Sequence, residues 1–244
     1  MALASGPLVG RFGALPPTVA LVGLASAGWV ALLAAHLHPV GGHAHHHVAA
    51  TRAVEGVLGP WVVMVLATMA LAAVPLAQHV FANSLRWRRR RAAALAVSAY
   101  LGAWCLAGVP VAAAVIALER TVLDHRRSAL VASATLLVAA VWQISPSRRR
   151  LAARCRRTVP LPLRGLRADA ASVRFGLQQA AGCLISCGPL MLSMALLTGA
   201  VHLLVAAMVT AIVACERLVG LHASGRSAAA AGITLGAVVV ALSG

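Results

Sequence analysis

The chain carries little charge, and acidic side chains are its scarcest component. Only 11% of its 244 residues are charged, with 21 basic residues against five acidic ones, and lysine does not occur. The few carboxylates form no pair for acid–base catalysis, and the sequence holds no Ser-His-Asp set and no glycine-rich phosphate loop. We therefore expect a protein that is not an enzyme.

Cysteine is also scarce. The five cysteines are an odd number, and at least four of them fall in apolar runs, at their ends or in a basic loop. A framework of disulfide bonds in exposed loops is therefore not expected.

Long apolar runs are what the sequence has in abundance. Hydrophobic residues make up 61% of the chain, and the mean hydropathy is +0.88. Several runs approach the roughly 20 residues that a helix needs to cross a bilayer. This pattern predicts an all-α fold, a polytopic transmembrane helical bundle that forms one integral membrane domain over residues 1–244. The predicted spans cover residues 18–35, which we take as an uncleaved span, 57–83, 92–118, 128–144, 175–197, 202–218 and 227–242.

The basic residues, all of them arginine, lie mostly between these runs and predict the orientation. With about seven spans and a cytoplasmic N-terminus, 17 of the 21 Arg fall on the cytoplasmic side, as the positive-inside rule requires. The net charge of +16 is then explained by topology and by contact with anionic membrane lipid. No nucleic-acid partner is expected.

Four sulfur-bearing side chains in the fifth predicted span would share one helix face, because they follow one another in steps of four, four and three residues. They are Cys183, Cys187, Met191 and Met194. Pro189 lacks a backbone N–H and loosens the helix in the middle of this row. Thiolates and thioethers prefer Cu(I), so the row predicts a copper site. The alternative is that these small or adaptable side chains only pack one helix on another.

A histidine-rich loop, residues 36–47, follows the first span and is expected on the outer face of the membrane. Unprotonated imidazole binds Cu(II), Zn(II) or Ni(II), and a loop containing Pro and Gly can fold around an ion. We predict a metal site here, for copper with zinc as a second possibility; a polar or pH-responsive loop is the alternative. The imidazoles belong to His36, His38, His43, His45, His46 and His47.

Further candidate ligands lie at matching depths in neighbouring spans. At about 1.5 Å of rise per residue, Met64 and Met69 overlap in depth with the sulfur row, although they are about 140° apart around their helix. His202 would link the loop to that row. These positions predict a sulfur-lined path between the second, fifth and sixth spans. Glu216 either has a task of its own or pairs with Arg217 or a loop arginine.

The order of these motifs resembles a known bacterial family. A Trp-x-x-Met span at Trp61, a Trp-Gln-x-x-Pro segment at Trp142 followed by Arg148, and the late Cys-x-x-x-Cys-x-x-x-Met span are similar to predicted metal-binding integral membrane proteins. Some members of that family are taken to deliver copper to tyrosinase- or laccase-type copper oxidases. The resemblance covers about 61–241, and Glu216 with the basic residue after it also fits.

Two departures from the family pattern concern ligands. The family's second span usually reads Trp-x-x-Met-x-x-x-Met-Met-x-Pro, whereas this chain has Thr68, Met69 and Leu71 at the later positions. Its fifth span tends to read Cys-x-x-Cys-Cys, and here Ser186 takes the middle place. The resemblance thus implies copper binding with one Met and one Cys fewer, and the histidine-rich loop would partly restore the ligand number.

The leading hypothesis is a copper-binding protein of a bacterial inner or plasma membrane, a metallochaperone that passes Cu(I) to a partner copper protein. A copper oxidase, a tyrosinase or a copper monooxygenase would fit as the partner. One alternative is an accessory subunit of a larger membrane complex. Another is a metal transporter, in which Glu216, His79 and Cys215 would complete a path to the cytoplasm. A haem or quinone site on His79 and His202 is a further alternative.

Overall fold

The structure is a computed structural model, and it describes residues 16–37, 50–121, 125–148, 150, 162, 165–197, 199–219, 232–234 and 236. Regular structure in these ranges is helical, which confirms the all-α prediction. The helices are α1 (Pro16–Leu37), α2 (Ala50–Ala72), α3 (Val74–Ala82), α4 (Arg89–Thr121), α5 (His125–Ile144), α6 (Gly165–Ala195) and α7 (Gly199–Ala214), which continues as a π-helical turn, Cys215–Val219.

Four helices in the described part of the chain are long and apolar enough to cross a membrane. They span Pro17–Leu37, Arg89–Leu118, Gly165–Ala195 and Gly199–Leu218, and α2 with α3 adds a fifth if the bent pair is one span. The apolar part of α5, Leu130–Ile144, is shorter. The predicted seventh span, 227–242, lies almost entirely outside the described residues, so seven spans and their orientation stay predictions.

The second predicted span, 57–83, is not one straight helix. Its two parts, α2 and α3, meet at an angle of 51° around Ala73. Pro75 lies at the start of α3 and has no N–H to offer the preceding turn, so the regular ladder of hydrogen bonds is interrupted there. Residues 57–83 are therefore bent, and their assignment as one membrane span stays a prediction.

The fifth span belongs to a helix that begins well before residue 175. Its extension, from Gly165, carries Asp169, whose carboxylate accepts hydrogen bonds from Arg88 at 2.7 Å and from Arg91 at 2.8 Å. Two segments predicted as separate basic loops are thus joined by an ion-pair cluster. Arg88 is only 3% exposed, so its pairing with Asp169 satisfies a buried charge and holds the start of α6 against the start of α4.

The packing of α4 against α6 places the candidate ligands in the core. At Gly176 the two backbones come so close that a Cβ atom would overlap the carbonyl oxygen of Ala96. Small residues at such crossings allow close approach between helices in membranes. Tyr100 on α4 is one turn beyond Ala96, and it reaches the cysteine face of α6 as a result.

Gly176→Ala should lower the stability of the protein, because the added methyl group would push α6 away from α4. Overpacking of this kind costs about 1–3 kcal/mol. Thermal unfolding of the detergent-purified variant would show the loss. Gly102→Ala on α4 is the matched control, since its Cβ would enter open space; it should be neutral or slightly stabilising. Equal unfolding temperatures for the two variants would contradict the close approach.

Candidate metal centre

The sulfur row predicted on the fifth span lies inside the helix bundle. All four of its side chains are buried, with exposed fractions between 0% and 2%. Its steps of four, four and three residues keep the row on one side of α6, and side chains of α2 and α4 contact that side. Its members are Cys183, Cys187, Met191 and Met194.

Tyr100 joins this row to α2. Its hydroxyl group lies 3.1 Å from the Cys183 Sγ and 3.9 Å from the Met69 Sδ, so thiol and thioether from different helices converge on one phenol. In addition, the Thr68 hydroxyl, which donates to the Met64 carbonyl oxygen at 2.8 Å, lies 3.7 Å from the Met191 Sδ. We call Cys183, Cys187, Met69 and Met191 the deep sulfur cluster.

Sequence reasoning missed Tyr100 and Thr68. The signal that could have found Tyr100 is its rarity: it is the only tyrosine in the chain, and it lies in an apolar run. A buried phenol needs a hydrogen-bond partner, and a thiol at the same depth is one. Thr68 occupies a position where the resembling family has methionine, so it drew attention only as a missing ligand.

The two cysteines of the cluster interact with each other and with polar neighbours. Cys183 and Cys187 are in side-chain contact, and the Arg217 guanidinium lies near Cys183. The Ser186 hydroxyl is 3.7 Å from the Cys187 Sγ. A guanidinium group and a hydroxyl group thus lie beside the two thiols.

The backbone around Pro189 is supported by side chains from outside α6. Pro189 cannot donate to the carbonyl oxygen of Ile185, and the Trp142 Nε1 donates to that oxygen instead, at 3.1 Å. The Arg148 Nε donates to the next carbonyl oxygen, that of Ser186, at 3.2 Å. The Trp-Gln-x-x-Pro segment and the arginine after it thus brace the cysteine-bearing helix.

Arg148 also forms a buried ion pair with Glu216. Its two terminal nitrogens donate to the two carboxylate oxygens at 2.8 and 2.6 Å, and Arg148 is 1% exposed. A loop arginine is thus a partner of Glu216, as one of the two expectations had it. The pair fastens the π-helical turn after α7 to the segment after α5, next to the cysteines.

A cavity of about 610 Å³ lies at the other end of the sulfur row. It is lined by Met64 and Met194 together with His36 and His202, whose ring centroids are 5.3 Å apart. We call it the outer cavity, because the predicted orientation turns it toward the external face. Met64 thus faces a different space from Met69, as their angular separation on one helix predicts.

His36 is in the last turn of α1, so its assignment to the loop was wrong: the helix continues through Leu37. The other five histidines of that loop, His38, His43, His45, His46 and His47, lie outside the described residues. His79 on α3 packs its ring against Phe175 of α6, at 5.3 Å between centroids.

The donor set fits a soft monovalent ion better than a hard divalent one. Within the described ranges, no three His, Cys, Asp or Glu side chains come together as a possible metal site. The deep sulfur cluster instead offers two thiols and two thioethers in a dry environment. Cu(I) is the common metal that prefers such ligands.

Comparison with known proteins agrees with this donor set. The family model of the copper chaperone PpoB2 matches residues 58–242, about three quarters of the chain. The chain belongs to this copper chaperone family. Membership confirms the family resemblance and supports a copper-related chaperone role. Comparisons with curated proteins and with solved structures gave no match.

The part of the chain that the copper chaperone family covers includes the whole deep sulfur cluster. It also includes Tyr100, Arg148 and Glu216, which position that cluster. It does not include α1, which contributes His36 to the outer cavity. The deep sulfur cluster therefore lies within the matched region. The outer cavity is lined both by residues of that region and by residues of α1, which lies outside it.

If the deep sulfur cluster holds Cu(I), Tyr100→Phe should weaken its binding while leaving the protein folded. The variant keeps the aromatic ring but removes the hydroxyl beside Cys183, and loss of a residue hydrogen-bonded to a metal ligand costs about 10–100-fold in affinity. Competition with a chromogenic Cu(I) chelator would measure the change. Thr210→Val is the control, since that hydroxyl bonds only within α7, to the Ala206 carbonyl oxygen. Equal affinities in both variants would contradict a supporting role for the phenol.

Proposed function

We propose that this copper chaperone is an integral membrane protein that holds Cu(I) on Cys183 and Cys187 and delivers it to a partner copper protein. Met69 and Met191 provide the neighbouring thioethers. The observation that carries the proposal is that three of these sulfur atoms, from two helices, meet the Tyr100 and Thr68 hydroxyl groups, and that Cys187 contacts Cys183 beside them. Packing alone does not require two thiols and two thioethers to meet in one place.

The charges around the cluster suit a thiolate complex. Binding Cu(I) to two thiolates gives a net charge of −1, and burial of an uncompensated charge is costly. Arg217 lies near Cys183, and Arg148 lies near Cys187. Arg217 would offset this negative charge, whereas the charge of Arg148 is already paired with that of Glu216.

The membrane setting follows from the apolar helices and the arginine distribution. With seven spans and a cytoplasmic N-terminus, in a bacterial inner or plasma membrane, the outer cavity faces the external side. The histidine-rich loop, 38–47, would then collect copper, and zinc where it competes, next to that cavity. The recipient would be an external copper oxidase, tyrosinase or copper monooxygenase.

A metal transporter is the second candidate function. It is favoured by the length of the ligand row, which runs from Met194 at the outer cavity to Cys183, near Arg217, deep in the bundle. Three turns of helix separate its ends. A chaperone needs only one end of such a row to be open, whereas a transporter needs both.

Loading the detergent-purified protein with Cu(I) tests the proposal. We expect bound copper whose X-ray absorption shows sulfur ligands, and transfer of that copper to an apo-tyrosinase. Protein in liposomes should not accumulate copper in the lumen; if it does, the transporter replaces the chaperone. Absence of bound copper would contradict both functions and favour an accessory subunit whose sulfur residues only pack.

A further inference from the structure

The outer cavity holds two imidazoles that are arranged as metal ligands are. The His36 Nδ1 donates to the Leu32 carbonyl oxygen at 2.8 Å, one turn back on α1. This hydrogen bond fixes the tautomer and leaves the lone pair on Nε2. Metal-ligating histidines almost always donate their other ring N–H to a carbonyl or carboxylate in this way. His36 is thus prepared to bind through Nε2.

His202 supplies the second nitrogen. Its Nε2 is buried and has no hydrogen-bond partner among the described residues, which is costly for a polar atom unless something else binds there. The rings of His202 and His36 are 5.3 Å apart between centroids. One ion at about 2.0 Å from a nitrogen of each ring would place the centroids roughly 5–6 Å apart. The separation of the two rings is therefore within the range for a shared ion.

Two thioethers line the same cavity. Met64 on α2 is 3% exposed and Met194 on α6 is 1% exposed, and both border the space that the imidazoles enter. Two neutral nitrogens with two neutral sulfurs suit Cu(I), and they bind it without losing a proton. The deep sulfur cluster must lose thiol protons to bind the same ion, so the two places differ in chemistry.

We infer that the outer cavity is a second copper site, formed by His36, His202, Met64 and Met194, through which Cu(I) enters and leaves the chaperone. The inference rests on the proposed copper chemistry of this chain. Met194 is less than one turn from Met191 of the deep sulfur cluster, and Met64 accepts a hydrogen bond at its carbonyl oxygen from Thr68, which also contacts Met191. Copper bound in the outer cavity would therefore be close to the deep sulfur cluster along both α2 and α6.

Copper stoichiometry in a background without the loop histidines tests this site. Changing the five loop histidines, His38, His43, His45, His46 and His47, to Gln leaves the cavity pair as the candidate imidazole ligands near it. In this background we expect about two Cu(I) per chain, and X-ray absorption showing both imidazole and sulfur. Adding H36A with H202A should remove one equivalent and the imidazole signal. H79A, on a histidine packed against Phe175, is the matched control and should keep both.

A second double variant tests the same site with substitutions that are less prone to cause misfolding than the His changes. Met64→Leu with Met194→Leu keeps side-chain volume while removing both thioethers, and should weaken the second equivalent without changing the first. Met208→Leu, a methionine near Gly232, is its control. If the His and Met variants both retain two equivalents, the second site is refuted.

The outcome for the deep site is read separately. Adding C183S with C187S to the same background should leave one equivalent with imidazole in its absorption spectrum. If the protein binds one equivalent both with and without the two cysteines, the proposed deep site fails and the outer site stands. If only one equivalent is ever bound and the cysteine change removes it, the outer site fails and the deep site stands.

Discussion

Replacing Cys183 and Cys187 together by serine should abolish tight Cu(I) binding at the deep sulfur cluster. A serine hydroxyl is a hard donor that stays protonated near neutral pH, so the two soft anionic ligands are lost while the side-chain volume changes little. The loss of affinity should exceed the ~10–100-fold that follows removal of a residue hydrogen-bonded to a ligand. Competition with a chromogenic Cu(I) chelator, in the background without loop histidines, would measure it.

The chain offers controls for this double change. Cys105, half-buried on α4, and Cys215, exposed in the π-helical turn, are free cysteines of the described region that lie outside the deep sulfur cluster. Cys105→Ser with Cys215→Ser removes the same number of thiols and should leave the Cu(I) affinity unchanged. A comparable loss in both double variants would show that thiol number, and not the α6 position, sets the affinity.

The part of the deep sulfur cluster that lies on α6 could be predicted from the sequence, but its partners on other helices could not. The row on α6 follows from helix periodicity, which is a local property, and burial of its four members agrees with it. Its partners come from tertiary contacts that no local pattern encodes. Tyr100 reaches Cys183 because Gly176 lets α4 and α6 touch, and Arg217 reaches it because a π-helical turn follows α7.

The bend between α2 and α3 shows a different limit. Pro75 was visible as a helix-disturbing residue, yet hydropathy continues unbroken across it and predicted a single span. Hydropathy reports only length and polarity, whereas the direction of the chain depends on the missing hydrogen bond. Met69 lies before the 51° bend, with its sulfur atom near the Tyr100 hydroxyl, whereas His79 lies after the bend, on α3.

Ser186 shows how the cluster accommodates a departure from the family pattern. Its hydroxyl donates to the Cys183 carbonyl oxygen at 3.2 Å and stays 3.7 Å from the Cys187 Sγ. A cysteine there would place a third sulfur beside Cys187. With serine, the proposed copper site would rely on the thioethers of α2 and α6 for additional ligands, which would make Met69 more important in this chain.

Arg148→Met should be among the most destabilising single changes in the protein. It removes the bidentate partner of Glu216 and the donor to the Ser186 carbonyl oxygen, both in the interior. Breaking a buried ion pair by removing one member typically costs about 3–5 kcal/mol, because the other charge loses its compensation without regaining water. We expect a marked fall in unfolding temperature in detergent.

A double variant shows whether the lost stability comes from the uncompensated charge of Glu216 or from the changed packing at residue 148. Arg148→Met with Glu216→Leu replaces the whole pair by apolar side chains, which is often neutral or stabilising, so most of the lost stability should return. Arg91→Met is the surface comparison. The Arg91 side chain, which pairs with Asp169, is 69% exposed, and surface pairs contribute about 0–1 kcal/mol to stability. If Arg148→Met is no more harmful than Arg91→Met, the buried pair does not hold the turn after α7 beside the cysteines. In that case Arg217 near Cys183 must be positioned by contacts other than this pair.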